Sequence, residues 1–162
     1  MAVAVQSAPG RASRRPESAT AVNAPLETPL GRDSSRHSPD VDAAALATRL
    51  RAVVSGEVMF DEGSRALYAS DSSNYRQTPV GVVLPRSVED IVAAVAACRE
   101  ADAPVLMRGA GTSLCGQTCN VAVVLDCSRH LDRIVSIDPQ QRSAVVEPGV
   151  VCDTLRIAAE KH

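Results

Sequence analysis

The chain has no tryptophan, one phenylalanine and two tyrosines, so Val, Ala and Leu must build its core. Phe60, Tyr68 and Tyr75 are its whole aromatic content, and Lys161 is its sole lysine. The formal charge of −2 excludes a broad basic surface and, with it, a nucleic-acid partner. There is no CxxC pair among the five cysteines, Cys98, Cys115, Cys119, Cys127 and Cys152. That odd number argues against a disulfide framework or a zinc site, so the thiols read as free, buried or half-buried groups of a cytoplasmic protein and no metal ligand is assigned. No apolar run approaches the ~20 residues of a transmembrane helix. Arg14-Arg15 has no apolar stretch behind it, which excludes a secretory or twin-arginine signal. The Arg, Ser and Ala content of the first 38 residues suits a transit peptide, but Glu17, Glu27 and Asp33 do not.

What is present is enough for one ordinary domain. Residues 1–38 carry Pro9, Pro16, Pro25 and Pro29 without a periodic apolar face and read as a disordered tail. Residues 39–78 read as a helical lead-in. Ser38-Pro39-Asp40 has the pattern of a helix start, with Leu46, Leu50, Val53 and Val54 at helical spacing and Ser55-Gly56 as the stop. A short strand at Val58–Phe60, a short helix at Ser64–Ala69 and a polar loop from Asp71 to Thr78 follow.

From residue 79 an α/β rhythm begins. Val80 to Leu84 is an apolar strand closed by Pro85, and Ser87 caps a helix with Asp90 three residues on. Val88, Ile91, Val92 and Val95 form that helix's expected buried stripe. Val105 to Met107 is the next strand, so Val80–Met107 reads as a βαβ unit. Strands at Val121–Asp126 and Ile134–Ile137 follow, then a turn at Asp138-Pro139-Gln140-Gln141 and a hairpin partner at Ala144–Val146. Glu147-Pro148-Gly149 ends that strand, and Val151, Leu155, Ile157 and Ala158 fit a last helix. No internal repeat is present.

Between two of those strands lies Arg108-Gly109-Ala110-Gly111-Thr112-Ser113-Leu114-Cys115-Gly116-Gln117. Glycines let backbone N–H groups crowd around one point, and successive N–H groups form an anion-binding concavity. Three nucleotides compete for it. A dinucleotide fingerprint fails because position 114 is Leu and a strand, not a helix, follows. A Walker A loop fails because Gln117 stands where Lys would neutralise the phosphates. A strand–loop–strand nest for the pyrophosphate of a flavin nucleotide remains.

The surrounding motifs sharpen this choice. Leu84-Pro85-Arg86-Ser87 with Asp90-Ile91, then Pro104-Val105-Leu106 with the glycine loop, then Glu147-Pro148-Gly149-Val150 occur in that order. In this order they resemble the N-terminal half of the FAD-binding domain of the vanillyl-alcohol oxidase/PCMH superfamily, and within it the glycolate and D-lactate dehydrogenase-like flavoproteins. Leu67-Tyr68-Ala69-Ser70-Asp71-Ser72-Ser73-Asn74-Tyr75-Arg76 also resembles that branch. The resemblance implies an α+β fold, here the first subdomain of a PCMH-type domain, incomplete, with a βαβ unit and further strands. It also implies FAD between two subdomains and oxidation of a small 2-hydroxy acid by hydride transfer to the flavin, with an electron acceptor as second partner.

By the same resemblance, the N–H groups of Gly109, Ala110, Gly111 and Gly116 would bind the pyrophosphate. Thr112 and Ser113 would add hydroxyl donors, and Gln117 an amide. Arg108 either offsets phosphate charge or makes a surface ion pair. Pro85 either lies on the adenosine side of FAD or simply ends its strand. Pro148, Gly149 and Val150 would bring backbone close to the flavin. No histidine lies in the loop, which implies non-covalent FAD. No catalytic residue is assigned, because the family's substrate-binding residues come later than His162. The chain is thus expected to be a truncated piece, inactive alone, holding little FAD and prone to aggregate. The alternative is a truncated, non-catalytic nucleotide-binding or interaction module.

Overall fold

The computed structural model describes Val3–Gln6 and residues 40–162. The described elements are β1 (Val3–Gln6), α1 (Ala43–Val53), β2 (Glu57–Met59), α2 (Glu62–Leu67), β3 (Gly81–Leu84), α3 (Val88–Glu100), β4 (Val105–Arg108), β5 (Val123–Asp126), β6 (Ile134–Asp138), β7 (Ser143–Val146) and α4 (Cys152–Ala159). Of the segment expected to be a tail, the four residues of β1 form a strand antiparallel to β7, and the rest lies outside the described residues. Ser38 and Pro39 also lie outside them. The first helix starts later than its sequence suggests, because Asp42 rather than Ser38 caps it, its carboxylate accepting from Ala44 N and Ala45 N at 3.1 and 3.0 Å.

Two sheets organise the chain. One is four-stranded in the order β2-β3-β5-β4, with β3, β5 and β4 parallel and β2 antiparallel to β3. The other is antiparallel in the order β1-β7-β6. The expected βαβ unit exists with one difference: β5 sits between β3 and β4 and pairs with both. A strand from later in the sequence fills the gap that the α3 crossover leaves. The connection from β4 to β5 is the glycine loop, with no helix in it.

Central strands β3 and β5 are buried throughout, as expected of a parallel sheet covered on both faces. Val83, Val123 and Leu125 pack under α1 and α3 against Leu46, Leu50, Ile91, Ala94 and Cys98. Val82, Leu84 and Val124 face the other way, toward Met59, Tyr68 and Leu106. The alternation follows from the two-residue period of a strand.

The rotation of α3 differs from the valine stripe expected of it. Ile91, Ala94, Ala97 and Cys98 are buried, whereas Val88, Val92 and Val95 are exposed, Val92 to 64%. Small side chains let α3 lie close to α1 and the sheet, a position valines would hold further out. Asp90 locks this rotation. Its carboxylate accepts from Ser55 N, Ser55 Oγ and Arg86 N at 2.8, 2.9 and 2.8 Å. Burial works to raise its pKa, but those bonds outweigh burial and lower it. Ser87 caps the helix as expected, its hydroxyl accepting from Asp90 N at 3.3 Å.

Candidate functional site

Because β3, β5 and β4 are parallel and in register, their C-terminal ends share one edge: Leu84-Pro85, Asp126-Cys127 and Arg108-Gly109. Parallel sheets bind ligands outside this edge. The Glu147-Pro148-Gly149 turn joins it, since Gly149 N donates to Leu131 O at 2.8 Å and Leu131 N to Cys127 O at 3.1 Å. Four segments far apart in sequence therefore meet at one place.

The glycine loop has an uneven hydrogen-bond pattern. Among the described residues, none accepts from the backbone N–H groups of Gly109, Ala110, Gly111, Thr112, Ser113 or Leu114. These six consecutive donors are left to solvent or a ligand, and that of Gly111 belongs to a buried residue, where an N–H group needs a partner. Further on, Cys115 N donates to Gln117 Oε1 at 3.1 Å and Thr118 N to Asp71 Oδ2 at 3.3 Å.

The loop's glycines differ in their reasons. Gly111 has φ +69, and a Cβ there would meet the Arg108 guanidinium at 2.4 Å. Gly116 has φ +76 and lies against the Tyr75 ring. Gly109 has no such internal constraint: a Cβ there would have only Pro148 O near it, at 3.8 Å. A Cβ at Gly109 would occupy space between loop and turn that the described residues do not fill.

Each site residue expected from the sequence has a definite place. Arg108 faces inward: its NH1 donates to Ser70 O and Thr118 O, both at 3.0 Å, and its guanidinium lies 5.2 Å from the Tyr68 ring centroid. Among the described residues it makes no ion pair. The Ser113 hydroxyl donates to Asp71 Oδ2 at 2.6 Å. Thr112 is exposed, as is Gln117, whose carbonyl oxygen is taken by Cys115 N. Pro85 is fully buried at the end of β3. Pro148 lies beside Gly109. Gly149 is buried, and a Cβ on it would meet Cys127 O at 2.2 Å. Val150 N donates to Glu147 O at 3.2 Å, so the N–H groups of Gly149 and Val150 are both used within the turn.

Three carboxylates that sequence reasoning did not single out support this edge. Asp71 holds the loop. Asp126 accepts from Tyr68 Oη at 2.7 Å and from Ser128 N and Oγ at 2.8 and 2.7 Å. Burial first, then that bond, pushes the Tyr68 phenol up to about 12, so it stays protonated. Glu147 is buried and accepts from Arg133 N, Nε and NH2 at 2.8, 3.0 and 2.6 Å. The Arg133 hydrogen bonds hold its carboxyl below the usual range. Asp71 and Glu147 lie inside the two stretches Leu67–Arg76 and Glu147–Val150 that carry the resemblance, and that was the signal for them; no local pattern marks Asp126.

The five cysteines are free thiols. Burial pushes Cys98 and Cys127 up to about 11, leaving them unreactive. Among the described residues no group of three or more His, Cys, Asp or Glu could hold a metal, and no helix is long and apolar enough to cross a membrane.

A family model described as an FAD binding domain matches residues 79–162. The chain is 35% identical over 114 residues to glycolate oxidase subunit GlcD of Bacillus subtilis, covering 67% of this chain and 24% of that protein. To D-2-hydroxyglutarate dehydrogenase of Escherichia coli it is 35% identical over 103 residues, 62% of this chain and 10% of the other. The chain thus spans a quarter or less of these relatives. Among solved structures, an alkyldihydroxyacetonephosphate synthase superposes with a TM-score of 0.61 at 18% identity, over 73% of this chain and 25% of that one. Substrate-bound p-cresol methylhydroxylase superposes with a TM-score of 0.57 at 20% identity, over 73% and 24%. At these identities the structural matches show the fold alone. The family model and the relatives bear out the resemblance, and the structural matches bear out the α+β fold class read from the motifs.

Proposed function

Since the chain belongs to the FAD binding domain family and FAD is its cofactor, we propose that Gly109–Leu114 cradles the FAD pyrophosphate in a 2-hydroxy-acid oxidoreductase. The observation that carries this reading is the run of six unpaired N–H groups at the C-terminal edge of a parallel sheet. A hydrogen bond from such a donor to a charged acceptor contributes about 1.5–3 kcal/mol, so a few suffice to anchor a cofactor. The unfilled space at Gly109 lets phosphate oxygens approach the backbone.

Bound FAD supplies the acceptor for the hydride that leaves the hydroxyl-bearing carbon of the acid. This chain's residues bind and orient. Thr112 adds a free hydroxyl, and Gly116 and the Gln117 amide extend the polar rim. Arg108 contributes positive charge from beneath Gly111 without touching phosphate. Pro148 O and the backbone of Val150 border the edge without offering donors, because the turn's N–H groups are already used. Pro85 contributes shape only, through the end of β3. The relatives whose names specify glycolate, D-2-hydroxyglutarate and D-lactate support the 2-hydroxy-acid class. The lack of a histidine in the loop supports non-covalent attachment. Five unpaired thiols favour a cytoplasmic setting.

The natural gene product carrying this sequence is expected to purify yellow, release flavin on denaturation and reduce an artificial electron acceptor with a 2-hydroxy acid. A colourless, folded product that ignores added FAD contradicts the reading.

A further inference from the structure

Several contacts that hold the glycine loop in shape come from residues before 79, outside the matched FAD-binding stretch. Three of them are consecutive. Ser70 O accepts from Arg108 NH1 at 3.0 Å. Ser72 donates through N and Oγ to Gly111 O at 3.0 and 3.3 Å. Between them Asp71, half-buried, accepts through Oδ2 from Ser113 Oγ at 2.6 Å, Thr118 Oγ1 at 3.1 Å and Thr118 N at 3.3 Å, and through Oδ1 from Ser73 N at 2.9 Å. Thr118 is gripped from both sides, since Arg108 NH1 also donates to its carbonyl.

We propose that Asp71 is a positioning residue for FAD: it gathers Ser113 and Thr118 so that the intervening loop is shaped before the cofactor arrives and Gly109–Leu114 keep their N–H groups free. This rests on the FAD reading of the loop. A loop whose N–H groups are unpaired has no ladder of its own to order it, and any residue ordered on binding subtracts from affinity. A carboxylate suits the task because it is acceptor-only and serves several donors at once. An amide at the same place would set an NH2 against donors. Asp71 acts through the loop rather than on the phosphate, which its charge would repel. The Ser113 hydroxyl, whose proton goes to Asp71, is therefore a loop fastener, and Thr112 is the hydroxyl left for the cofactor. The Ser113 bond, ahead of that from Ser73, holds the Asp71 carboxyl well below the usual range, so it is ionised at neutral pH.

The test compares the natural protein with Asp71→Asn, Ser113→Ala and the double variant, by amide exchange without FAD and by FAD titration. Asp71→Asn is expected to speed exchange about tenfold at the hydrogen-bonded amides that frame the loop, Ser72, Thr118 and Cys119, while β4 and β5 keep their protection, and to raise the FAD Kd at least about tenfold. The double variant is expected to bind FAD no more weakly than Asp71→Asn, because Ser113 works through Asp71. Loop exchange and Kd within about twofold of the unaltered protein would overturn the proposal. So would a double variant weaker than Asp71→Asn by the whole Ser113→Ala factor, since Ser113 would then touch phosphate itself. Lost protection across β4 and β5 would make Asp71 a residue of the fold at large and also overturn it. If Asp71→Asn does not accumulate, Ser113→Ala decides, with the same loop-confined exchange expected at smaller size. An unaltered protein that ignores FAD overturns the reading of function, while exchange without FAD still decides whether Asp71 holds the loop.

Discussion

The glycine loop and the Glu147-Pro148-Gly149-Val150 turn share a vocabulary of glycine and reach the same sheet edge, yet they use their backbones in opposite ways. Among the described residues the loop leaves six consecutive N–H groups unpaired, while the turn uses those of Gly149 and Val150 internally. Gly149 is required by its own protein, because Cys127 O and Leu131 O would stand 2.2 and 2.7 Å from a Cβ. Among the described residues nothing requires a glycine at Gly109. A glycine needed for packing and one needed for a guest look identical in a sequence. Hydrogen bonds and the space around Cβ distinguish them.

The largest way to break the comparison is at the turn. Gly149→Ala drives a methyl into backbone that cannot step aside, and is expected to destabilise by about 3 kcal/mol, read as a fall in Tm of roughly 10 °C. At the loop, Gly109→Ala is expected to leave Tm unchanged to within about 2 °C while raising the FAD Kd at least about tenfold. Equal losses of stability in the two variants would erase the distinction.

Acid sharpens it next. Glu147 has an ordinary pKa of 4.5, lowered in the folded state by its Arg133 bonds. A depressed carboxylate contributes stability above its unfolded value and loses it as pH falls through the folded one. Stability is therefore expected to hold above about pH 5 and to decline below pH 4.5, with Glu147→Gln flattening the decline in acid denaturation curves. Asp71 and Asp90, also lowered, add to the decline from 3.8 downward. An unchanged acid limb in Glu147→Gln would show that the turn does not depend on this ion pair.

The smallest effect is expected on α3. Val92→Lys, at an exposed position, is expected to change stability by less than about 0.5 kcal/mol, whereas Ala94→Val on the buried face destabilises by about 1–3 kcal/mol. The reverse result would restore the valine face that hydrophobicity alone suggests.

Much of this architecture was legible locally. The Ser87 cap, the apolar strands and the turn at residues 139–142 depend on neighbours in sequence, and they form within one or two residues of expectation. The resemblance supplied the cofactor, because motif order survives where any single loop is ambiguous. The rest depends on distant partners. The place of β5 between β3 and β4 is set by pairing across the whole unit. The face of α3 is chosen by Asp90 meeting Ser55, 35 residues away. Asp71 reaches Ser113 and Thr118 across 42 and 47 residues, so a polar stretch that reads as plain loop becomes the loop's support.

The most direct test of the central claim is residue-resolved amide exchange of the natural protein with and without FAD. The account predicts that FAD slows exchange at Gly109–Leu114, whose N–H groups have no partner of their own, and leaves Gly149 and Val150 unchanged. Protection at Gly149 and Val150 with none at Gly109–Leu114 would contradict it.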